Sequence, residues 1–284
     1  MSRLATPEQP RAPDSLGATG APNGGVAAAA QFVAKTLSIA AMEVRKLRHD
    51  PMELLTRAIQ PLLWLLVFGQ VFGRLRALPT GDLTYTEFLA PGILAQSVLF
   101  VAIFYGISVI WERDLGIVHK FLVSPTPRAA LVLGKALSAG VRALSQAIIV
   151  YVAALALGVR LNLAPQALLG VLFFVLGGAA LFATFSLIIA SLVKTRERFM
   201  GIGQVLTMPL FFASNAIYPI AIMPGWLRGI VAINPLTYEV DGLRALMLEP
   251  GESSLGLGLD ALVLLGVLAL LVAVGARLYP RIVT

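Results

Sequence analysis

The sequence predicts an all-α integral membrane protein with six membrane-spanning helices. Of its 284 residues, 58% are hydrophobic and only 13% are charged, whereas about a quarter of the residues in a soluble domain carry a charge. Several apolar runs reach the roughly 20 residues that a helix needs to cross a bilayer. These runs place six spans in a domain of residues 51–284, at about 54–72, 88–110, 136–158, 166–193, 199–218 and 259–278.

Two segments precede the first predicted span. Residues 1–30 are rich in Pro, Gly, Ala and Ser, a composition typical of a disordered tail. Residues 31–50 carry apolar side chains at alternating intervals of four and three, which predicts one face of a helix. With basic residues mostly off that face, the segment is expected to be an amphipathic helix in the membrane interface. A helix packed on a soluble partner is the alternative. The apolar positions are Val33, Leu37, Ala40, Val44 and Leu47.

The positively charged residues predict the orientation of the chain. One set of connections holds Arg45, Lys46, Arg48, Arg113, Lys120, Arg128, Lys135, Lys194, Arg196, Arg198, Arg277 and Arg281. The other holds the smaller set of Arg74, Arg76, Arg160, Arg228 and Arg244. Because cytoplasmic loops carry the excess of Lys and Arg, both termini are expected in the cytoplasm of a prokaryotic cell, with the chain crossing its inner or plasma membrane. Arg57 and Arg142 fall within or beside spans, and either snorkel to the headgroups or pair inside the bundle.

The composition also limits the chemistry. The chain has no cysteine and only two histidines, at positions 49 and 119, so neither a disulfide nor a cysteine- or histidine-rich metal site is expected. The net charge of +7 is attributed to loops facing anionic lipid, and no nucleic acid is expected as a partner. No metal or cofactor is predicted on this chain.

The connection between the second and third spans is long and charged, reading "WERDLGIVHKFLVSPTPRAALVLGKAL" from position 111. Leu115, Val118, Phe121 and Leu122 recur at helical spacing, which predicts a short amphipathic helix. The prolines of "SPTPR" end it, and a second helix restarts near Arg128. Such a rigid connection suits transmission of force from a soluble motor. An ordinary cytoplasmic hairpin fits the same pattern.

The segment from 219 to 258 is apolar but broken by prolines. "GWLRGIVAI" is too short to cross a bilayer, which predicts a pair of short re-entrant helices that close a pathway on the outer side. Trp226 and Tyr238 are expected near the headgroups. Asp241 and Arg244, one turn apart, either pair or are solvated.

Polar residues also occur within the spans, and most are expected to form hydrogen bonds between helices. The alternative is that some line a transport pathway. The set is Gln96, Ser97, Tyr105, Ser145, Gln146, Tyr151, Thr184, Ser186, Gln204, Thr207, Ser214 and Asn215.

Two motifs resemble those of one family. Glu112-Arg113-Asp114-x-Gly116, followed by "LVSPTPR" and "LVLGKAL", is similar to the cytoplasmic pattern of type 2 ATP-binding-cassette (ABC) exporter membrane subunits. "SNAIYPIAIMPGWLRGIVAINPLTYEVDGLRAL" is similar to that family's external segment. The resemblance covers about residues 31–280 and is strongest to the drug-resistance and nodulation-factor exporter branch. His119 and Lys120 depart from it, since many relatives carry an acidic residue there.

The resemblance implies roles for three groups of residues. A coupling helix docking on an ATPase subunit would use Glu112, Arg113, Asp114, Gly116, Val118, Phe121 and Leu122. A second cytoplasmic contact would use Lys194, Arg196, Glu197 and Arg198. An outer gate would use Pro219, Pro224, Trp226, Asn234, Pro235, Tyr238, Asp241 and Arg244.

The implied function is that of a permease subunit in an ATP-driven exporter. It would form a homodimer or pair with a similar subunit, bind two ABC ATPase subunits holding ATP and Mg, and move a drug, lipid or lipid-linked glycan outward. The chain itself is expected not to be an enzyme, because "LVLGKAL" has Ala129 and Ala136 where a nucleotide-binding loop needs Gly and Ser or Thr.

Two other functions stay open. An ion-coupled secondary transporter would need an intramembrane carboxylate, and Glu87 and Asp260 lie only at span ends. An integral-membrane enzyme acting on lipids would need clustered His, Asp or Glu near the interface.

Overall fold

The computed structural model describes residues 59–75, 78–115, 128–193 and 195–278. Over these residues the chain is helical, apart from connections and an isolated antiparallel bridge between Leu161 and Leu248. The predicted tail at 1–30, the interfacial helix at 31–50, the start of the first span and the short helix at 116–122 lie outside the described residues. They stay predictions.

Residues 59–63 are helical, and eight α-helices follow them over the described residues. A π-helical turn, Trp64–Phe68, leads into α1. The helices are α1 (Gly69–Leu75), α2 (Tyr85–Asp114), α3 (Arg128–Ala156), α4 (Pro165–Leu192), α5 (Arg196–Phe212), α6 (Gly225–Ile233), α7 (Pro235–Met247) and α8 (Leu257–Leu278). Length and hydropathy would let four segments cross a membrane: Tyr85–Asp114, Ser138–Ala156, Pro165–Leu192 and Leu257–Leu278. They correspond to the second, third, fourth and sixth predicted spans.

The fifth predicted span, 199–218, is wrong at its end. Helix α5 stops at Phe212, where the N–H of Ala213 donates to the carbonyl of Pro209 over 2.8 Å. The hydroxyl of Ser214 donates to the Phe211 carbonyl and accepts from the N–H of Ala216. These local bonds satisfy backbone groups that a continued helix would have used. The irregular backbone at 214–216 is buried by the bundle.

Helix α4 lies at the centre of the bundle and packs against α2, α3, α7 and α8. Its side chains Val175, Leu181 and Phe182 are almost fully buried. Helix α8 differs, because almost none of its apolar side chains is fully buried and about half are exposed. A helix that is apolar all round and exposed in a membrane protein is suited to face lipid.

The bundle has two ends, which we name after one residue at each. At the Asp114 end, α2 and α4 finish and α3 and α5 begin; at the Glu87 end, α2, α4 and α8 begin and α3 finishes. The Glu87 carboxylate accepts from Arg160 Nε at 2.8 Å and from the Thr84 N–H at 2.8 Å. This contact raises the pKa of the Arg160 guanidinium and joins the α3–α4 connection to the start of α2.

Helices α6 and α7 form a hairpin that dips into the bundle from the Glu87 end. Close contacts set the depth of α7: Gly242 lies against Phe174, Gly170 against Leu246, and Gly178 against the Glu239 carboxylate. Residue numbers rise along α4 as they fall along α7, so the two helices run antiparallel. Gly178 lies halfway along α4, and the start of α7 therefore lies near mid-depth in the bundle.

Candidate functional site

Two ion pairs and a hydrogen bond join four helices at the Asp114 end. Lys135 of α3 forms an ion pair with Glu112. Arg113 Nη1 donates to the Val193 carbonyl at the end of α4 over 3.1 Å. Arg196 Nη2 donates to Asp114 Oδ2 over 2.8 Å. We call these residues, Glu112, Arg113, Asp114, Lys135 and Arg196, the charged cluster.

Arg196 makes two contacts that need a planar guanidinium. Besides its bond to Asp114, it lies over the Trp111 ring at 3.6 Å from the ring centroid. A guanidinium both stacks on aromatic rings and forms directed bonds with carboxylates, which an ammonium does less well. The last turn of α2 is therefore held against the first turn of α5.

The structure corrects one part of the predicted coupling helix and brings two predicted contacts together. Residues 112–114 are the last turn of α2, with Leu115 as its C-cap, and do not belong to a separate helix. Their ion pairs to α3 and α5 explain why α2 extends this far. Asp114 belongs to the predicted coupling residues and Arg196 to the predicted second cytoplasmic contact. Their hydrogen bond brings the two sets together, although 82 positions separate these residues in the chain.

The remaining residues of those two sets divide into two groups. Glu197 and Arg198 are exposed in the first turn of α5, where the Thr195 hydroxyl caps the N–H of Arg198 at 3.4 Å. Gly116, Val118, Phe121, Leu122 and Lys194 lie outside the described residues, and their predicted roles are untested.

Asn234 is the hinge of the re-entrant hairpin. It ends α6 and begins α7, where its Oδ1 accepts from the Leu236 N–H at 3.1 Å. Its Nδ2 donates to the carbonyls of Leu210 at 2.7 Å and Ala213 at 2.6 Å. Pro235 follows at the first helical position, where a missing N–H costs nothing. One side chain therefore fixes both short helices to the end of α5.

The other predicted gate residues occupy the surface of the hairpin. Pro219 precedes the short 3-10 turn Ile220–Ile222, and Pro224 precedes α6. Trp226 is 70% exposed, and the Tyr238 hydroxyl donates to the Ala232 carbonyl over 2.6 Å. The predicted contacts of Trp226 and Tyr238 with lipid headgroups stay a prediction.

Asp241 and Arg244 are buried, so the prediction that they are solvated is wrong; they attract one another electrostatically without a direct ion pair. Their side chains are buried, and they form no ion pair with one another within 4 Å in the described part of the chain. Asp241 accepts from the Ser253 hydroxyl at 2.9 Å and the Leu255 N–H at 2.8 Å. Arg244 was also counted as a loop residue, whereas it lies within α7.

Comparison with known proteins identifies the family. Residues 35–248 match the model of the ABC-2 type transporter family. This chain is a member of the ABC-2 transporter membrane family. The charged cluster and the α6–α7 hairpin are thus features of an ABC-2 permease.

Individual relatives are permeases as well. The daunorubicin resistance ABC transporter permease protein of Streptomyces coeruleorubidus is 30% identical over 260 residues, 89% of this chain and 88% of that protein. A protein described as transport permease ycf38 in Cyanophora paradoxa is 31% identical over 204 residues, 71% of this chain and 70% of its own. A protein of Mycobacterium tuberculosis described as a doxorubicin resistance permease is 26% identical over 221 residues, 76% of this chain and 78% of its own.

A groove runs between α2 and α3 of this permease. It consists of two adjoining cavities of about 350 Å³ and 310 Å³, which share Val101 and Phe104 as lining residues. Gln146 lines the first cavity, and its Nε2 has no acceptor among the described residues. Arg142 lines the second and lies over the Tyr105 ring, 5.6 Å from its centroid. Six of its twelve lining residues are apolar and six are polar or charged, so the groove offers apolar surface beside hydrogen-bonding groups.

Most polar residues of the spans do not bridge helices, contrary to expectation. Ser97, Ser145, Thr184 and Thr207 donate to carbonyls three or four residues earlier in their own helix, and Ser214, just after α5, donates to the Phe211 carbonyl. Short hydroxyl side chains commonly bond in this way. Two residues are exceptions. Ser186 donates from α4 to the Ile103 carbonyl of α2, and Asn215 Nδ2 donates to Asp241 of α7 over 3.5 Å.

Sequence reasoning missed one buried acid, Glu239. Its side chain is 0% exposed, and neither carboxylate oxygen has a donor among the described residues. A signal was present, because Leu236, Val240 and Leu243 predict an apolar face of α7 that includes position 239. No carboxylate lies deep in the four described spans, whereas Glu239 lies beside the middle of α4 in the short helix α7.

Proposed function

We propose that this permease is the membrane subunit of an ATP-driven exporter. It crosses the membrane six times, with residues 54–72 as the first span and α5 with the segment after it as the fifth. Two copies form a homodimer, and each copy binds one ABC ATPase subunit that holds ATP and Mg. Both termini and the Asp114 end face the cytoplasm, and the Glu87 end faces outward.

The charged cluster is the observation that carries this proposal. An ATPase subunit that moves the 111–135 connection would also move α5, because Arg196 is bonded to Asp114. Force entering at the cytoplasmic surface would therefore reach two helices together. Coupling of this kind requires an element with two arrangements that both sites influence.

The hairpin supports outward transport, and the groove supports a hydrophobic or amphipathic cargo. The end of α5 is bonded to Asn234, so displacement of α5 would reach the hairpin and open the outer side. The groove between α2 and α3 offers apolar surface beside polar groups, which suits a hydrophobic or amphipathic cargo. Relatives that carry the names of daunorubicin and doxorubicin resistance support a drug as such a cargo.

One observation favours an ion-coupled secondary transporter as a second candidate. Glu239 is a buried carboxyl beside the middle of α4, and ionisable groups at that depth often take part in ion or proton transport. The candidates differ in their source of energy. ATP without an ion gradient drives the first, and an ion gradient without ATP drives the second.

A site-specific cross-linking experiment tests the exporter proposal. A photoreactive residue replaces Glu197, which is exposed at the Asp114 end, and in a matched control replaces Glu252, which is exposed at the opposite end. We expect the first position to capture an ABC ATPase in native membranes and the second not to do so. Capture from neither position, with transport driven by an ion gradient in ATP-free vesicles, would favour the second candidate.

A further inference from the structure

A cavity of about 470 Å³ opens at the Glu87 end, outside the groove and the charged cluster. Its walls come from three connections: residues 79–83 before α2, 219–221 before α6, and 250–254 before α8. Phe88, Asn215 and Arg244 line it from the bundle side. The volume lies within the range of small-ligand sites, about 300–1,000 Å³. An occupant would touch all three connections at once.

Arg244 brings a buried positive charge to this cavity. The side chain is 5% exposed, and its guanidinium lies over the Phe88 ring at 4.0 Å. Nη2 donates to the carbonyls of Asn215 at 2.8 Å and Phe88 at 3.3 Å. These contacts hold the group in one place, but they come from neutral partners.

The charge of Arg244 has no paired carboxylate in the described part of the chain. Its Nε has no acceptor there, and no carboxylate lies within 4 Å of its guanidinium nitrogens. The bonds from Ser253 and Leu255 hold the nearby Asp241. Asp241 attracts the guanidinium from a distance but forms no direct ion pair with it. A buried charge without a direct partner is unfavourable, so an anionic group entering the cavity and bonding to Arg244 would be stabilised.

Acidic side chains distinguish the mouth of the cavity from its inner wall. Asp82 and Glu252 line it from two different connections, and both residues are exposed. They would repel a simple anion and attract a cation. The arrangement therefore fits a ligand with both charges, with its anion directed inward toward Arg244 and its cation near the two carboxylates.

We propose that this cavity binds a phosphoethanolamine group. The phosphate accepts hydrogen bonds from Arg244, since guanidinium groups bind phosphate oxygens with charge-assisted bonds. The primary ammonium donates to Asp82 and Glu252. The lipid headgroup and free phosphoethanolamine share this chemistry, and the position at one end of the spans favours the lipid.

The ligand also has a consequence for gating, which rests on the proposed function. A headgroup that bridges the three connections would hold the re-entrant hairpin against the starts of α2 and α8. Bound ethanolamine lipid would therefore stabilise the closed outer side. Binding itself requires neither the ATPase nor transport.

The test uses the purified full-length permease, delipidated in detergent and then given defined lipids. Phosphatidylethanolamine carries an ammonium that donates hydrogen bonds, the trimethylammonium of phosphatidylcholine has no N–H, and phosphatidylglycerol has no cation. Native mass spectrometry measures the retained lipid, and thermal unfolding measures stabilisation. We expect phosphatidylethanolamine to be retained preferentially and to raise the Tm most.

Variants connect the effect to the cavity. R244K keeps the charge but loses the forked donor, and we expect it to weaken phosphatidylethanolamine binding about tenfold, as for loss of one charge-assisted hydrogen bond. The double variant D82N/E252Q is expected to lose the preference over phosphatidylglycerol. E249Q is the matched control, because Glu249 is exposed nearby and is not among the residues lining the cavity.

A second arm separates the two sources. If soluble phosphoethanolamine at millimolar concentration raises the Tm as the lipid does, the free compound is a ligand; if only the lipid does, the headgroup in a membrane is. Equal retention of the three lipids, or an unchanged preference in D82N/E252Q, would overturn the proposal. Because the assay contains no ATPase, its failure leaves the exporter proposal standing.

Discussion

Arg196 donates a hydrogen bond to Asp114 over 2.8 Å and so joins the first turn of α5 to the last turn of α2. Both side chains are about one-third exposed, at 34% and 39%. Ion pairs exposed to this degree contribute little to stability, about 0–1 kcal/mol. The value of this contact therefore lies in fixing the position of one helix end against another.

Removal of this contact is expected to separate transport from stability. In D114N and R196Q, ATP-driven transport should fall by about fivefold or more, within the usual range of coupling between sites. The free energy of unfolding should change by less than about 1 kcal/mol. Transport into vesicles with the cognate ATPase and thermal unfolding of the purified permease measure the two quantities.

The matched control for this prediction is R198Q. Arg198 is exposed in the same turn of α5 as Arg196, and its replacement should leave transport unchanged. The charge-swapped double variant D114R/R196D should recover part of the activity. Equal loss of transport in R198Q and R196Q would show that general surface charge matters, not this ion pair.

Substitution of the hinge residue is expected to reduce stability. N234A removes two donated bonds, each worth about 1 kcal/mol, and a helix cap of about the same value. The total loss should be about 2–3 kcal/mol in the free energy of unfolding. N234S keeps a capping hydroxyl but loses both donated bonds, and should lose roughly two-thirds as much. Unfolding in detergent would measure both, and equal losses would contradict the separate roles of Oδ1 and Nδ2.

Gly178 tests the depth of the hairpin. An alanine in place of glycine in a helix normally stabilises it by about 1 kcal/mol, but a Cβ at position 178 would overlap the Glu239 carboxylate. G178A should therefore lower the Tm. G266A is the control, since nothing lies within 4 Å of a Cβ built there, and it should raise the Tm or leave it unchanged.

A second substitution identifies the cause. E239A removes the carboxylate that a Cβ at position 178 would overlap. G178A should therefore lower the Tm of the wild-type protein but should not lower the Tm of E239A. An equal fall in the Tm of both proteins would place Glu239 away from α4 and would contradict the mid-depth position of α7.

Gln146 tests the groove. Its Nε2 is buried without an acceptor among the described residues, so an apolar residue of similar size should be tolerated. We expect Q146L to leave the free energy of unfolding within about 1 kcal/mol of the parent or to increase it. Cargo-stimulated ATPase activity should nevertheless change if cargo lies in the groove. Q204L is the control, because Gln204 is exposed on α5 and is not among the lining residues of the groove.

Hydrophobicity predicted the long helices well because their signal is local. Four of the six predicted spans correspond to helices of sufficient length and hydropathy, with ends within a few residues except where α2 continues to Asp114 and α3 begins at Arg128. The prolines around 219–235 correctly predicted two short helices. Each of these features depends on residues that are neighbours in the chain.

The contacts between residues of the candidate site could not be predicted from the sequence. The pairing of Asp114 with Arg196 and the isolation of Arg244 depend on how distant segments pack, which no spacing within one segment records. The early end of α5 has another cause. Residues 213–218 are apolar enough to continue a span, but local bonds of Ser214 and the side chain of Asn234 satisfy the backbone there.

Helix α5 is held at both ends, by Arg196 on one side and through Asn234 on the other. Its 17 residues give it a length of about 25 Å. Because both attachments are on one rigid helix, they can form together only if its length and the rotation of one end relative to the other are both correct. A single residue inserted between them would turn one attachment by about 100° relative to the other, leaving both contacts chemically possible but no longer able to form together.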